Sequence, residues 1–223
     1  MSAARTAVII DYQNMHLTGH DSFCRPDRPL HLCRIDPGLF ARRVLATRAA
    51  AGRCSAELVD VQVFRGLPEP EYDLPGYQRN MAQQQHWQAD PLVHVTHRPL
   101  RYRVIRECYS TGPGSEPPAT EVEAREKGID VLAALAVVTA ASRDDIDLVI
   151  VATHDGDLEP AVIAVQEGGH AKIEAVQWYG GHTSHGRLHG AGRLWCTRLN
   201  VEDFADCRDG HDYSCSDPLR NSA

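Results

Sequence analysis

LVIVATHDGDLEP, residues 148–160, governs how the rest of the chain is read. Five apolar residues, Leu148 to Ala152, stop abruptly at Thr153-His154-Asp155-Gly156-Asp157, and an apolar helix pattern then resumes. A short continuous apolar run bounded by turn-forming residues reads as a strand buried on both faces, the kind found in parallel sheets covered by helices. Its exit places two acids at the mouth of a helix. There they serve as caps or as part of a metal site, and this stretch alone does not choose between the two.

The same pattern recurs along the chain. TAVIID (6–11) is a second buried run ending in an acid, Asp11, and AELVDVQVFRG (56–66), AKIEAVQW (171–178) and LWCTRL (194–199) read as further strands. LVHVTHRPLRYRVI (92–105) is β-rich and divided by Pro99. Residues 36–52 predict a helix, with Asp36 as N-cap, Pro37 at the first position and a stop near Gly52. Residues 75–90 and 157–169 are also read as helices, as is 200–209 with its Asn200 cap. EVEAREKGIDVLAALAVVTAAS (121–142) reads as one long Ala-rich helix starting at a Thr120 cap. Residues 12–36 read mainly as a long loop, 110–120 as a flexible Gly/Pro/Ser loop and 180–192 as a mobile loop. Strands alternating with helices predict an α/β fold with a mainly parallel twisted sheet.

The 223 residues are 43% apolar and 24% charged, which suits one large domain with a real core. No run approaches the ~18 apolar residues of a membrane span, and the N-terminus shows no signal-peptide pattern. The expectation is a cytoplasmic chain with no membrane association. Seven cysteines, at 24, 33, 54, 108, 196, 207 and 215, contain no CxxC pair and make a poor disulfide framework. The formal net charge is −7, so a nucleic-acid partner has to be gripped by a local basic patch. HRPLRYRVIR (97–106) is such a patch. Arg98, Arg101, Arg103 and Arg106 are placed to track a phosphate backbone, with Tyr102 stacking on a base, unless the segment is only a charged edge strand.

In open α/β sheets ligands bind beyond the carboxyl ends of the strands, and Asp11 and Asp155 sit at two such ends. Asp11, Asp130, Asp155 and Asp157 are therefore the candidate catalytic acids and ligands for Mg²⁺ or Mn²⁺, hard ions that prefer oxygen. Asn14, Thr153, Lys127 and His154 are candidate substrate contacts. His154 either relays protons near neutral pH or is a loop histidine bonded to backbone.

VIIDYQN, then EKGIDVLAAL, then VIVATHDGDLEPAV, in this order and spacing, resembles the NYN family of PIN-fold nucleases, including the bacterial LabA-like proteins. The resemblance spans roughly residues 5–180. It implies a PIN-like three-layer sandwich over 1–180, with 181–223 as an extension of the same domain. It also implies a metal-dependent endoribonuclease acting on single-stranded RNA through Asp11, Asp130, Asp155 and Asp157. Two positions depart from the family pattern: His154 stands where a glycine is common, and Ala136 where many relatives carry an acid. The alternatives are a non-catalytic module that binds RNA or a protein partner, homodimerisation included, and a different Mg²⁺ phosphohydrolase. The latter is disfavoured because Asp11-Tyr12-Gln13 lacks the DxD of aspartyl-phosphate chemistry.

Two soft-ligand clusters stand apart from the acids. His16, His20, Asp21, Cys24, His31 and Cys33 crowd the first long loop, and Cys207, His211 and Cys215 are spaced by four. Neither matches a standard zinc pattern of paired ligands.

Overall fold

The structure is a computed structural model that describes residues 2–108, 119–183 and 185–213. The elements run β1 (Ala4–Asp11), α1 (Tyr12–Phe23), α2 (Pro37–Ala50), β2 (Ala56–Leu67), α3 (Pro70–Trp87), β3 (Val93–Pro99), β4 (Arg101–Cys108), β5 (Ala119–Arg125), α4 (Ile129–Ala141), β6 (Leu148–Ala152), α5 (Glu159–Gly168), β7 (Lys172–Trp178), β8 (Cys196–Leu199) and α6 (Val201–Asp206). Six strands form one sheet in the order β3-β2-β1-β6-β7-β8, and every pairing in it is parallel. β4 and β5 form a separate antiparallel ribbon.

Alternation along the strands builds the layers. On one face Val8, Ile10, Val61, Val63 and Ile150 pack with Met15, Phe40, Val44, Trp87, Trp178 and Phe204. On the other, Ala7, Ile9, Val149 and Val151 pack with Ala133 and Val137 of α4 and Val162 and Val165 of α5. The molecule is an α/β three-layer sandwich. Each large side chain so buried contributes roughly 1.5–3 kcal/mol, so the central strands need apolar residues on both faces. β8 and α6 belong to the same body, since Leu199 and Phe204 lie in the first core.

The strand order fixes where a ligand fits. From β1 the chain steps outward through β2 and β3; from β6 it steps the other way through β7 and β8. β1 and β6 therefore flank the point where the order reverses, and a crevice opens beyond their carboxyl ends.

Several elements differ from expectation. Residues 12–23 are helical, not loop. α1 buries Tyr12, Met15, Gly19, His20 and Ser22, a face with only two large apolar side chains, so no apolar period marks it. Gly19 sits where a Cβ would come within 2.9 Å of Phe204 and 3.0 Å of Trp178. Residues 119–125 are strand, and the helix expected from 121 starts only at Ile129. Gly128, at φ +79°, marks the break, in a conformation glycine adopts without strain. Of the expected flexible loop 110–120, residues 110–118 lie outside the described residues.

Cys24 and Cys33 form a disulfide that the cysteine spacing did not suggest, because α1 ends at Cys24 and the short turn Leu30–Leu32 returns the chain to it. The expected mobile loop 180–192 is anchored where described. His182 donates its backbone N–H to Ser22 O at 2.8 Å, Glu159 accepts from the His189 backbone at 2.9 Å, and Leu188 is buried. Among the described residues no helix is long and apolar enough to cross a membrane.

Candidate functional site

A cleft of about 330 Å³ opens at the reversal point, lined by Asp11, Glu126, Lys127, Gly128, Ile129, Asp130 and Asp155. Three elements deliver its acids. Asp11 ends β1, Asp155 follows β6 by three residues, and Asp130 lies in the first turn of α4. Of the four predicted acids, Asp11, Asp130 and Asp155 come together here. Asp157 is exposed and does not line the cleft.

A hydrogen-bond chain holds the two strand ends in register. Asp11 is 7% exposed and caps α1, with Oδ1 accepting from the Asn14 N–H at 3.2 Å. The Thr153 hydroxyl donates to Asp11 Oδ2 at 3.3 Å and accepts from the Asp155 N–H at 3.1 Å. Asn14 Oδ1 accepts from the His154 N–H at 2.7 Å. Asn14 thus braces β1 against the β6 exit. Asp155 is also a cap, because its Oδ1 accepts from the Asp157 N–H at 3.0 Å. Capping and cleft-lining coexist in this residue, since the cap occupies one of its two oxygens.

Burial pushes the Asp11 carboxyl up to about 6, and the nearby charges of Glu126 and Asp155 push it in the same direction. Buried carboxylates that repel one another favour protonation or a cation between them.

Glu126 was not foreseen. It was hidden inside the expected helix 121–142, yet it sits in the link between β5 and α4. The Gly128 break in EKGID was the available signal. One Glu126 oxygen accepts from the Gly66 N–H, and Gln13, with its amide turned to donate, reaches Oε2 at 2.9 Å. Burial raises its pKa, while the Gly66 bond and the Arg65 charge oppose the shift. A Cβ on Gly66 would lie 2.6 Å from Glu126 Oε1, so glycine is what lets the carboxylate approach the β2 backbone.

The remaining candidates divide. Lys127 is exposed on the cleft wall and makes no ion pair among the described residues. The Arg98 guanidinium lies against Gly128 at the rim. Arg101 and Arg103 are exposed on β4, opposite Arg125 and Glu123 of β5. Tyr102 stacks on Tyr72 at 4.1 Å between ring centroids, and its hydroxyl accepts from the Glu69 N–H at 3.0 Å, so one ring face is already covered. His154 is the backbone-bonded kind. Its Nδ1 lies 2.8 Å from Gly186 O and its Nε2 accepts from the Trp178 N–H at 3.2 Å, which together fix a neutral Nδ1–H imidazole. Burial lowers its pKa, in keeping with that state. Ala136 packs against the α4-side core.

No family model and no curated protein matches the chain. Among solved structures, it is similar to a protein of unknown function from Vibrio parahaemolyticus, with 17% sequence identity over 93% of this chain and 90% of that one, and a TM-score of 0.42.

Proposed function

We propose that the protein is a metal-dependent endoribonuclease of the NYN/PIN type, hydrolysing phosphodiester bonds of single-stranded RNA. The observation that carries this reading is the convergence of Asp11, Glu126, Asp130 and Asp155 on one cleft, at the reversal point of a parallel sheet, with the Asp11 carboxyl pushed up by burial and further by its acidic neighbours. The donor set is all carboxylate, which fits Mg²⁺ or Mn²⁺ and disfavours softer ions. Asp11, Glu126, Asp130 and Asp155 would hold such an ion, whose chemistry there would be charge neutralisation and the acidification of a water. Glu126 fills the role of the acid that relatives carry at the Ala136 position. Thr153 fixes the orientation of Asp11, while Lys127 and Arg98 meet the phosphate at the cleft wall.

The test is cleavage of a labelled single-stranded RNA with Mg²⁺, with Mn²⁺ and in excess chelator, by the parent chain and by Glu126→Gln. Cleavage that needs the ion and is lost in Glu126→Gln supports the reading. Undiminished cleavage in chelator overturns the metal mechanism. RNA binding without cleavage under any condition leaves the non-catalytic module as the function.

A further inference from the structure

We propose that His20, Cys24 and Cys33 form a zinc site in the reduced chain, distinct from the acidic cleft. One ring nitrogen of His20 and the sulfurs of Cys24 and Cys33 all lie within 4.8 Å of one another, and all three residues are buried. They come from the last turn of α1, its C-cap and the end of the turn Leu30–Leu32. None of them lines the acidic cleft.

The imidazole is set up for a soft cation. His20 Nε2 lies 2.8 Å from the carbonyl of Arg28, so the proton sits on Nε2 and is donated there. With Nε2 so engaged, Nδ1 is the nitrogen a cation would take, in exchange for its 3.4 Å contact with Asp21 Oδ1. A histidine that gives one ring N–H to a carbonyl while offering the other nitrogen is the usual outer-shell arrangement of a metal ligand. Two thiolates and one imidazole select Zn²⁺ over Mg²⁺ or Mn²⁺, and the fourth position is left to water. The segment between the cysteines needs a staple, because Leu30 and Leu32 are 45% and 48% exposed and contribute little to any core.

The disulfide described above is the oxidised form of the same site. Oxidised glutathione takes two electrons from the two thiolates, the Cys24–Cys33 bond forms, two glutathione thiolates leave, and Zn²⁺ is released.

The experiment titrates the full chain, purified in reductant, with Co²⁺ and then Zn²⁺. The expected result is a thiolate-to-cobalt charge-transfer band that zinc removes. Cys33→Ser loses the band. His20→Ala weakens zinc binding by more than the ~10–100-fold that an outer-shell partner controls. Cys54→Ala, which alters an exposed cysteine, and Asp155→Asn, which alters the acidic cleft, both keep the band. A reduced parent chain without the band overturns the proposal, as does a His20→Ala chain that binds zinc as tightly as the parent. Because the parent spectrum itself reports thiolate ligation, the test stands even where Cys33→Ser fails to fold. RNA cleavage is not its readout, so its failure and that of the nuclease reading are separate results.

Discussion

Asp155 carries two duties with one carboxylate: it caps the turn after β6 and lines the cleft. Asparagine keeps the capping oxygen and removes the charge, so Asp155→Asn separates the two duties. The expected outcome is loss of cation-dependent RNA cleavage with no fall in the melting temperature of the metal-free protein, since removing one of several like charges relieves repulsion on Asp11. Thermal unfolding in chelator checks this, and a large fall would assign Asp155 to capping alone. Gly66→Ala acts on the other side of the cleft. Its Cβ would press on Glu126 and Leu100, so the variant should bind Mn²⁺ more weakly and melt lower, by the 1–3 kcal/mol typical of overpacking. Calorimetric Mn²⁺ titration beside a melting curve reads both effects. At this scale Asp11 and Asp155 were legible because acids at strand ends follow from the apolar pattern, whereas Asp130, in the middle of the expected helix 121–142, was marked by the EKGIDVLAAL stretch of the family resemblance. Asp157, two residues beyond Asp155 on the same turn, is exposed and lies outside the cleft lining. Glu126 was missed because its neighbours were assigned to a helix.

Among the elements, the β4–β5 ribbon shows how far local pattern reaches. Thr120, Val122 and Ala124 alternate with Glu121, Glu123 and Arg125, a period of two that the Ala-rich run after Gly128 obscured. α1 was hidden for a different reason: Tyr12 and Met15 are the only large apolar side chains of its buried face, the rest being Gly19, His20 and Ser22, too few to mark a helical period. By contrast β1 and β6 were plain, because these central strands, packed on both faces, are nearly continuous apolar runs. The ribbon register places Arg101 opposite Arg125, the residue preceding Glu126, so its basic end adjoins the link that lines the cleft. Replacing Arg101 and Arg103 together with alanine should weaken single-stranded RNA binding and flatten its salt dependence. Each lost phosphate contact should lower the log–log slope by about 0.7. Binding measured across a salt series decides this, and an unchanged slope makes these arginines an ordinary charged edge.

For the whole molecule, pH sets opposing demands. Burial pushes His16 and His97 down to about 4, so both are neutral in the folded chain and become charged in the unfolded chain below ~6.5. The unfolded state then binds more protons, and stability present above ~6.5 is lost as pH falls toward 4. Each histidine contributes a slope of at most about 1.4 kcal/mol per pH unit. Asp11, raised to about 6, works the other way, because its folded form is the better proton acceptor as pH falls through 6. His154, also lowered by burial, adds to the histidine side, while Asp36 and Glu126, raised by burial, add to the side of Asp11. The histidine share is isolated by His16→Gln, which should make the metal-free melting temperature less sensitive to a fall from pH ~6.5 to about 4 than in the parent. Melting curves of parent and variant across this range test it, and identical pH profiles for the two would show that His16 is solvated. The order of the strands has a further consequence. β1 and β6 are neighbours in space, yet the Thr153–Asp11 bond that joins their ends spans 142 residues of sequence. Pairings of such high contact order close late in folding. On a ribosome, the first three strands can associate while the later half is still being made, but Asp11 meets Thr153 and Asp155 only after β6 has emerged. Synthesis thus keeps the acidic cleft unassembled beside the very messenger being translated until most of the protein exists.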